Sequence, residues 1–199
     1  KSPIIEVKDN PTLNADAVYY AKVSKYQDGY IMFYDCKDKS NEEHVCMALS
    51  KDLKQWNSYL KNPIITNHNG WRSKKDCSEP NYIEVKQDTI FLLVTGAKKS
   101  KANFWHHYIS KRMYMDISGN VDDAELGYYM SLDGGKNFIE NKNNPVFTND
   151  YSNDLEGDHL GGNIKLIKTD SVDYLFYQAK SFNKGLKKYS VLLRTREKH

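Results

Sequence analysis

Short apolar and aromatic runs, cut by Gly, Asp and Lys, fill the chain. Residues 17–23, 29–34 and 44–49 form a first set of three, residues 81–85, 89–94 and 126–130 a second, and residues 163–167, 174–177 and 189–193 a third. Runs this short, rich in β-branched and aromatic residues and bounded by turn formers, predict strands. No stretch carries the apolar spacing of an amphipathic helix of ordinary length. The pattern therefore predicts an all-β chain in which strands arrive in threes.

The segment after each of the first two sets also repeats. Ser50-Lys51-Asp52-Leu53-Lys54-Gln55-Trp56 and then Asn62-Pro63-Ile64-Ile65-Thr66-Asn67 match Ser131-Leu132-Asp133-Gly134-Gly135-Lys136-Asn137-Phe138 and then Asn144-Pro145-Val146-Phe147-Thr148-Asn149, with one extra Gly. Self-similarity at a fixed period marks repeat architectures. Three strands plus a short fourth make a four-stranded meander, and repeated meanders are the blades of a β-propeller. The Ser-x-Asp element is expected to be turn chemistry, its side chains bonding the turn backbone while the aromatic residue packs between sheets.

The ends bear on completeness. Ser2-Pro3-Ile4-Ile5 resembles the Asn-Pro-Ile-Ile segment, read as a fourth strand placed ahead of the first blade. Thr195-Arg196-Glu197 stands where Ser50-Lys51-Asp52 stood. One domain spanning 1–199 is expected, with blade 1 at about 16–67, blade 2 at about 79–149 and an incomplete blade 3 at about 158–199. Propellers typically close with about four to eight blades. The favoured expectation is a fragment of a longer chain, and another chain or residues 2–7 closing the ring are the alternatives. The chain begins at Lys1, so removal of an upstream segment fits, although no targeting stretch is visible.

Composition narrows the function classes. The 199 residues carry 29 Lys and Arg against 26 Asp and Glu, a net charge of +3, too weak a balance to predict nucleic-acid binding. Mean hydropathy is −0.75 and no apolar stretch is long enough to span a membrane as a helix. The 15 tyrosines suit strands and sugar-stacking surfaces. Cys36, Cys46 and Cys77 form no C-x-x-C pair, which argues against a structural zinc site. Cys36 and Cys46 could face each other across a hairpin, while the plain reading is three buried thiols. The cysteines leave the compartment open.

In a propeller the first strand of each blade lines the central channel, and its start faces the mouth. Acidic residues fall there in register: Asp16, Glu79, and Glu156 with Asp158. Acids at strand starts are common turn formers, but one per blade converging on one axis is a plausible acid–base set. Glycoside hydrolysis needs one carboxylic acid to protonate the leaving oxygen and a second carboxylate as nucleophile or base.

These residues carry a resemblance. Pro3-Ile4-Ile5 with Asp16-Ala17-Val18, Ser78-Glu79-Pro80, Glu156-Gly157-Asp158-His159 and the Ser50…Asn62-Pro63 element are similar to motifs of the five-bladed propeller glycoside hydrolases of families 43 and 32. The resemblance spans essentially the whole chain as three of five blades. It implies Asp16 as base or nucleophile, Glu156 as general acid and Glu79 as the residue that tunes the acid and holds substrate. It implies a poly- or oligosaccharide substrate, with Asp158 and His159 binding it. Four positions depart from the pattern. Ser78 stands for an expected Arg, Glu79 for Asp, and Ala17 and Asp158 for Pro. Those departures motivate the alternative of a non-catalytic carbohydrate-binding or interaction propeller. A six-bladed sialidase-like reading ranks lower, because only Arg72, Arg112, Arg194 and Arg196 are present and none lies in a clear first-strand motif.

About thirty residues between Val94 and Glu125 separate the second and third strands of blade 2. They are expected to overhang the mouth, with Trp105 and Tyr108 offering ring faces to sugar, or else to cover a neighbouring blade or subunit. Neighbouring His106 and His107 point to opposite sides of a strand and are not expected to chelate. No metal ligand and no cofactor are expected. His159 is read as a hydrogen-bonding histidine, although the resemblance would admit a structural calcium in the channel. The expected partner is a carbohydrate, with no nucleic acid or membrane. The expected location is extracellular or periplasmic.

Overall fold

The computed structural model describes residues 3–10, 13, 15–66, 70–72, 78–97, 124–148, 155, 159–183 and 186–198. Strand β1 (Ala15–Tyr26) turns into β2 (Gly29–Asp38), which returns as β3 (Glu43–Ser50), and the two-residue β4 (Asn57–Ser58) completes an antiparallel sheet in sequential order. The order recurs in β5 (Pro80–Lys86), β6 (Thr89–Ala97), β7 (Ala124–Ser131) and β8 (Ile139–Glu140). A third unit comes next in β9 (His159–Lys168), β10 (Val172–Asn183) and β11 (Leu186–Glu197). There β10 and β11 pair along their whole length, β9 lies against β10, and a single parallel bridge ties His159 to Ala124 of β7. The architecture is a partial β-propeller of three successive meanders, as the repeats predict. Among the described residues no helix is long and apolar enough to cross a membrane.

Period-two alternation decides how the blades pack. One face of blade 1 presents Ile31, Phe33, Val45 and Met47 to Ile90, Leu92, Val94 and Tyr129 of blade 2, which makes the largest core. The opposite face, with Met32, Tyr34, Cys36, Cys46 and Ala48, is covered by Ile5, Leu13, Val18 and Trp56. Leu126 and Phe147 of blade 2 meet Ile164, Tyr177 and Ala179 of blade 3. Cys36 and Cys46 are joined by a disulfide across the β2–β3 hairpin, with Cα atoms 5.9 Å apart, so they do not stand as separate thiols. Cys77 lies outside the described residues.

The repeated residues do the same work in both blades. Ser50 Oγ accepts from the backbone N–H groups of Asp52 and Leu53, and Asp52 Oδ1 accepts from those of Lys54 and Gln55. In blade 2, Ser131 Oγ takes the N–H groups of Asp133 and Gly135, and Asp133 Oδ1 takes that of Asn137. Hydrogen bonding from the Asn137 side chain pulls the Asp133 carboxyl down to about 2. Leu53, at φ 63°, occupies the left-handed region that Gly134 and Gly135 take at 71° and 86°. Of the next aromatics along the chain, Phe138 packs between sheets as expected, edge-on to Phe33 at 5.8 Å between blades 1 and 2, whereas Trp56 covers the outer face of its own blade. The Ser-x-Asp element is thus a turn clamp.

The Asn-Pro segments differ from expectation. After β3 the regular pairing belongs to Asn57–Ser58, while Ile65 makes only an isolated bridge to Val45. Asn62 supplies the remaining bonds through its side chain: its Oδ1 accepts from Met47 N–H at 2.8 Å and its Nδ2 donates to Met47 C=O at 3.0 Å. Asn144 does the same to Tyr128 at 2.8 and 3.1 Å. A carboxamide replaces a ladder partner that proline, lacking N–H, cannot be. Pro3–Glu6 is likewise not a strand. At the far end β11 runs straight through Thr195–Glu197. Asn62→Ala should therefore lower stability by about 1–3 kcal/mol, because a buried backbone pair loses its partners. Chemical denaturation would read this as a lower midpoint at unchanged slope, whereas an unchanged midpoint would refute the clamp.

Candidate active site

The sequence-predicted acids Asp16 and Glu79 occupy matching places. The β1–β2 register shifts between Ala15 and Ala17, so Asp16 sits in a bulge and is exposed. The β5–β6 register shifts between Pro80 and Tyr82, immediately after Glu79. Bulges re-aim a side chain and end pairing, which is why they gather beside binding sites. β1 and β5 pack against one another, and each acid stands at the start of its own strand.

The backbone carbonyl of Glu79 is held by two hydrogen bonds. It accepts from Thr95 N–H at 2.8 Å and from the Asn81 side chain at 3.0 Å, and Asn81 also donates to Thr95 Oγ1. Fully buried Ser78 accepts a hydrogen bond from Arg72 Nη2 at 2.9 Å, while Arg72 Nη1 donates to Tyr129 OH at 2.7 Å. Ser78 stands where the resembled family shows arginine, and here a guanidinium arrives from the short turn Gly70–Arg72 instead. Only glycine admits that turn. A Cβ at Gly96 would meet Arg72 Cγ at 2.4 Å, and one at Gly127 would meet Trp71 Cζ2 at 2.1 Å. Trp71 Nε1 donates to Glu140.

The charge of Glu79 reaches blade 1. It is the main cause of the raised pKa of Tyr20, whose ring is 57% exposed beside a second register shift in β1. Tyr19 is raised further, first by burial and then by its hydrogen bond to Glu43 Oε1. Asp35 pairs with Tyr19 across β1–β2 and is fully buried. Burial, then Glu43 and Glu79, push its carboxyl far above the usual carboxylate range. These residues form an acidic corner between blades 1 and 2 that strand patterning alone does not single out. Asp35 does leave a trace there, as the one charge inside the run Ile31-Met32-Phe33-Tyr34-Asp35-Cys36.

The β2–β3 hairpin reaches the same end, since Asp38 pairs with Ala15. Asp38, Glu42 and His44 offer ligand atoms within 4.8 Å of one another and are the residues that could hold a cation. Asp38 Oδ1 is already engaged by the N–H groups of Ser40 and Glu42, so a tight turn accounts for it. Glu156, Asp158, Trp105 and Tyr108 lie outside the described residues. His159 opens β9, where its backbone meets Ala124.

No family model matches the chain, and no curated protein matches it either. Solved structures do. A structure titled "Glycoside hydrolase" superposes with a TM-score of 0.66 at 20% identity, covering 98% of this chain and 50% of that one. A Bombyx mori GH32 beta-fructofuranosidase gives 0.60 at 17% identity, covering 96% and 36%. An alpha-L-arabinofuranosidase from Lactobacillus brevis gives 0.57 at 11% identity, covering 91% and 52%. The chain spans about half, or less, of the length of these structures. The likeness establishes the fold, a β-propeller of the kind found in glycoside hydrolases.

Proposed function

We propose that the chain is part of a five-bladed glycoside hydrolase that cleaves a poly- or oligosaccharide at the mouth of its channel. Asp16 is the base or nucleophile, Glu156 the general acid, and Glu79 the residue that tunes the acid and holds substrate. Asp158, His159, Trp105 and Tyr108 contribute to sugar binding. The observation that supports this reading is that Asp16 and Glu79 each stand at the register-shifted start of a strand, β1 and β5, that packs against the other, with the Glu79 charge acting on Tyr19, Tyr20 and Asp35 of blade 1. Glycosidic cleavage needs a base or nucleophile and a general acid, here Asp16 and Glu156, with Glu79 as the third carboxyl group beside them. The Cys36–Cys46 disulfide suits an oxidising compartment, which supports an extracellular or periplasmic location.

The test is turnover by the full-length protein on a panel of oligosaccharides and aryl glycosides. It is run with and without inorganic phosphate, because phosphate can replace water as acceptor. Hydrolysis of at least one glycoside is expected. Calorimetric sugar binding without turnover would replace the reading by a non-catalytic sugar-binding propeller.

A further inference from the structure

One carboxyl group sits where the contact between blades 1 and 2 ought to be dry. Ile31, Phe33 and Asp35 alternate along the same face of β2, and Val45 flanks Asp35 on β3. Asp35 has 0% exposure, and among the described residues neither of its oxygens has a hydrogen-bond partner. The hydroxyl closest in register, that of Tyr19, is committed to Glu43. The charges that act on Asp35 are Glu43 from β3, Glu79 from the start of β5 and Lys37 from β2 itself. Tyr19 and Tyr20 of β1 feel the same acids, Tyr19 raised first by burial and Tyr20 first by the Glu79 charge. An ionised Asp35 would be desolvated, without a donor, and beside two anions opposed by one ammonium. Each of these conditions disfavours the charged form. Buried polar groups without partners are rare in folded proteins and commonly mark a functional site.

We propose that Asp35 is the proton-holding member of the acid set at the mouth, a neutral carboxylic acid at pH 7 that leaves Glu79 as its ionised neighbour. It is a positioning residue, acting on the reaction through Glu79. The protonation state stands on the packing of Asp35, while its catalytic consequence rests on the hydrolase reading above. Where two acids share one field, the proton settles on the more deeply buried group and the other stays charged. Keeping Asp35 neutral spares Glu79 a second negative charge from within the sheet. Ionising Asp35 at high pH would raise the proton affinity of Glu79 and weaken the blade contact together.

Packing also sets the sign of the pH dependence. Folded Asp35 keeps a proton that the unfolded chain releases above about pH 3.9. Its contribution to stability is therefore complete at low pH and declines as pH rises, until Asp35 ionises in the folded state. Asp35→Asn keeps the shape and removes the proton. We expect its melting midpoint to lie within about 2 °C of wild type at pH 4 and roughly 5 °C or more above it at pH 8. In a pH–rate profile the alkaline limb of kcat, which the general acid Glu156 also shapes, should shift in the variant with little change in KM at pH 6. Carbon-13 NMR of wild-type protein labelled at aspartate carboxyls provides a check that needs no variant, and one carboxyl should titrate above pH 7. Aspartates that all titrate below pH 6 would overturn the inference. So would a wild-type midpoint raised at pH 8 by millimolar Ca²⁺ or Mg²⁺ and unmoved in Asp35→Asn, since Asp35 would then be a cation ligand. A wild type that shows the high titration but cleaves no glycoside sinks the hydrolase reading and leaves Asp35 as proton holder.

Discussion

Asp16→Asn should abolish turnover on every substrate the protein cleaves, a loss of about 10³-fold or more, while leaving the fold intact. A base or nucleophile is needed whatever the leaving group. A general acid is needed only when the leaving oxygen cannot depart without a proton. Glu156→Gln should therefore slow an unactivated oligosaccharide by about 10²–10⁴-fold and largely spare an aryl glycoside with an acidic phenol. The two variants assayed on the two substrates separate the roles. Asp16 is exposed in a bulge, so its replacement should change stability by no more than about 0.5 kcal/mol. Undiminished turnover by Asp16→Asn would remove it from the reaction, and equal losses by Glu156→Gln on both substrates would remove Glu156 from the acid role.

Gly127→Ala should be the most damaging single methyl in blade 2. Its Cβ would stand 2.1 Å from Trp71 Cζ2, and the Trp71-Arg72 turn that would have to yield also carries the bond to Ser78 beneath Glu79. Overpacking of this kind costs about 1–3 kcal/mol and occasionally more, and the upper end applies because the ring also lies close over Gly96 and cannot slide that way. For a domain of this size the midpoint should fall by about 6–12 °C. Adding Trp71→Ala should recover part of the loss, so a double-mutant cycle would show coupling rather than additivity. If Gly127→Ala melts with wild type, the close packing of Trp71 over β7 is wrong. Activity should fall with stability, because the turn that holds Ser78 also fixes the start of β5.

Local interactions were legible in the sequence, and long-range ones were not. The Ser-x-Asp turns at Ser50 and Ser131 bind their own backbone within a few residues, so the repeat revealed both their place and their role. Strand alternation revealed the blades and put Asp16 and Glu79 ahead of inner strands. The Asn-Pro segments were legible as a repeat and misread as strands, because the bonds of Asn62 and Asn144 run through side chains that no backbone pattern displays. The Cys36–Cys46 pairing depends on the β2–β3 register, and a one-residue slip would turn the two sulfurs to opposite faces. Arg72 was passed over because it precedes β5 in a turn and gains its meaning only where Ser78 and Tyr129 converge. Asp35 looked like part of an apolar strand, and only the packing of the blades shows that its carboxyl is fully buried without a partner among the described residues.

The most direct measurement is a crystal structure of the full-length protein with an oligosaccharide bound. The acids at the starts of the inner strands should flank one sugar ring, with the carboxyl groups of Asp16 and Glu156 about 5–10 Å apart and Glu79 on the same rim. A sugar bound away from Asp16, or those carboxyl groups turned to different sides of the sheet, would contradict the account.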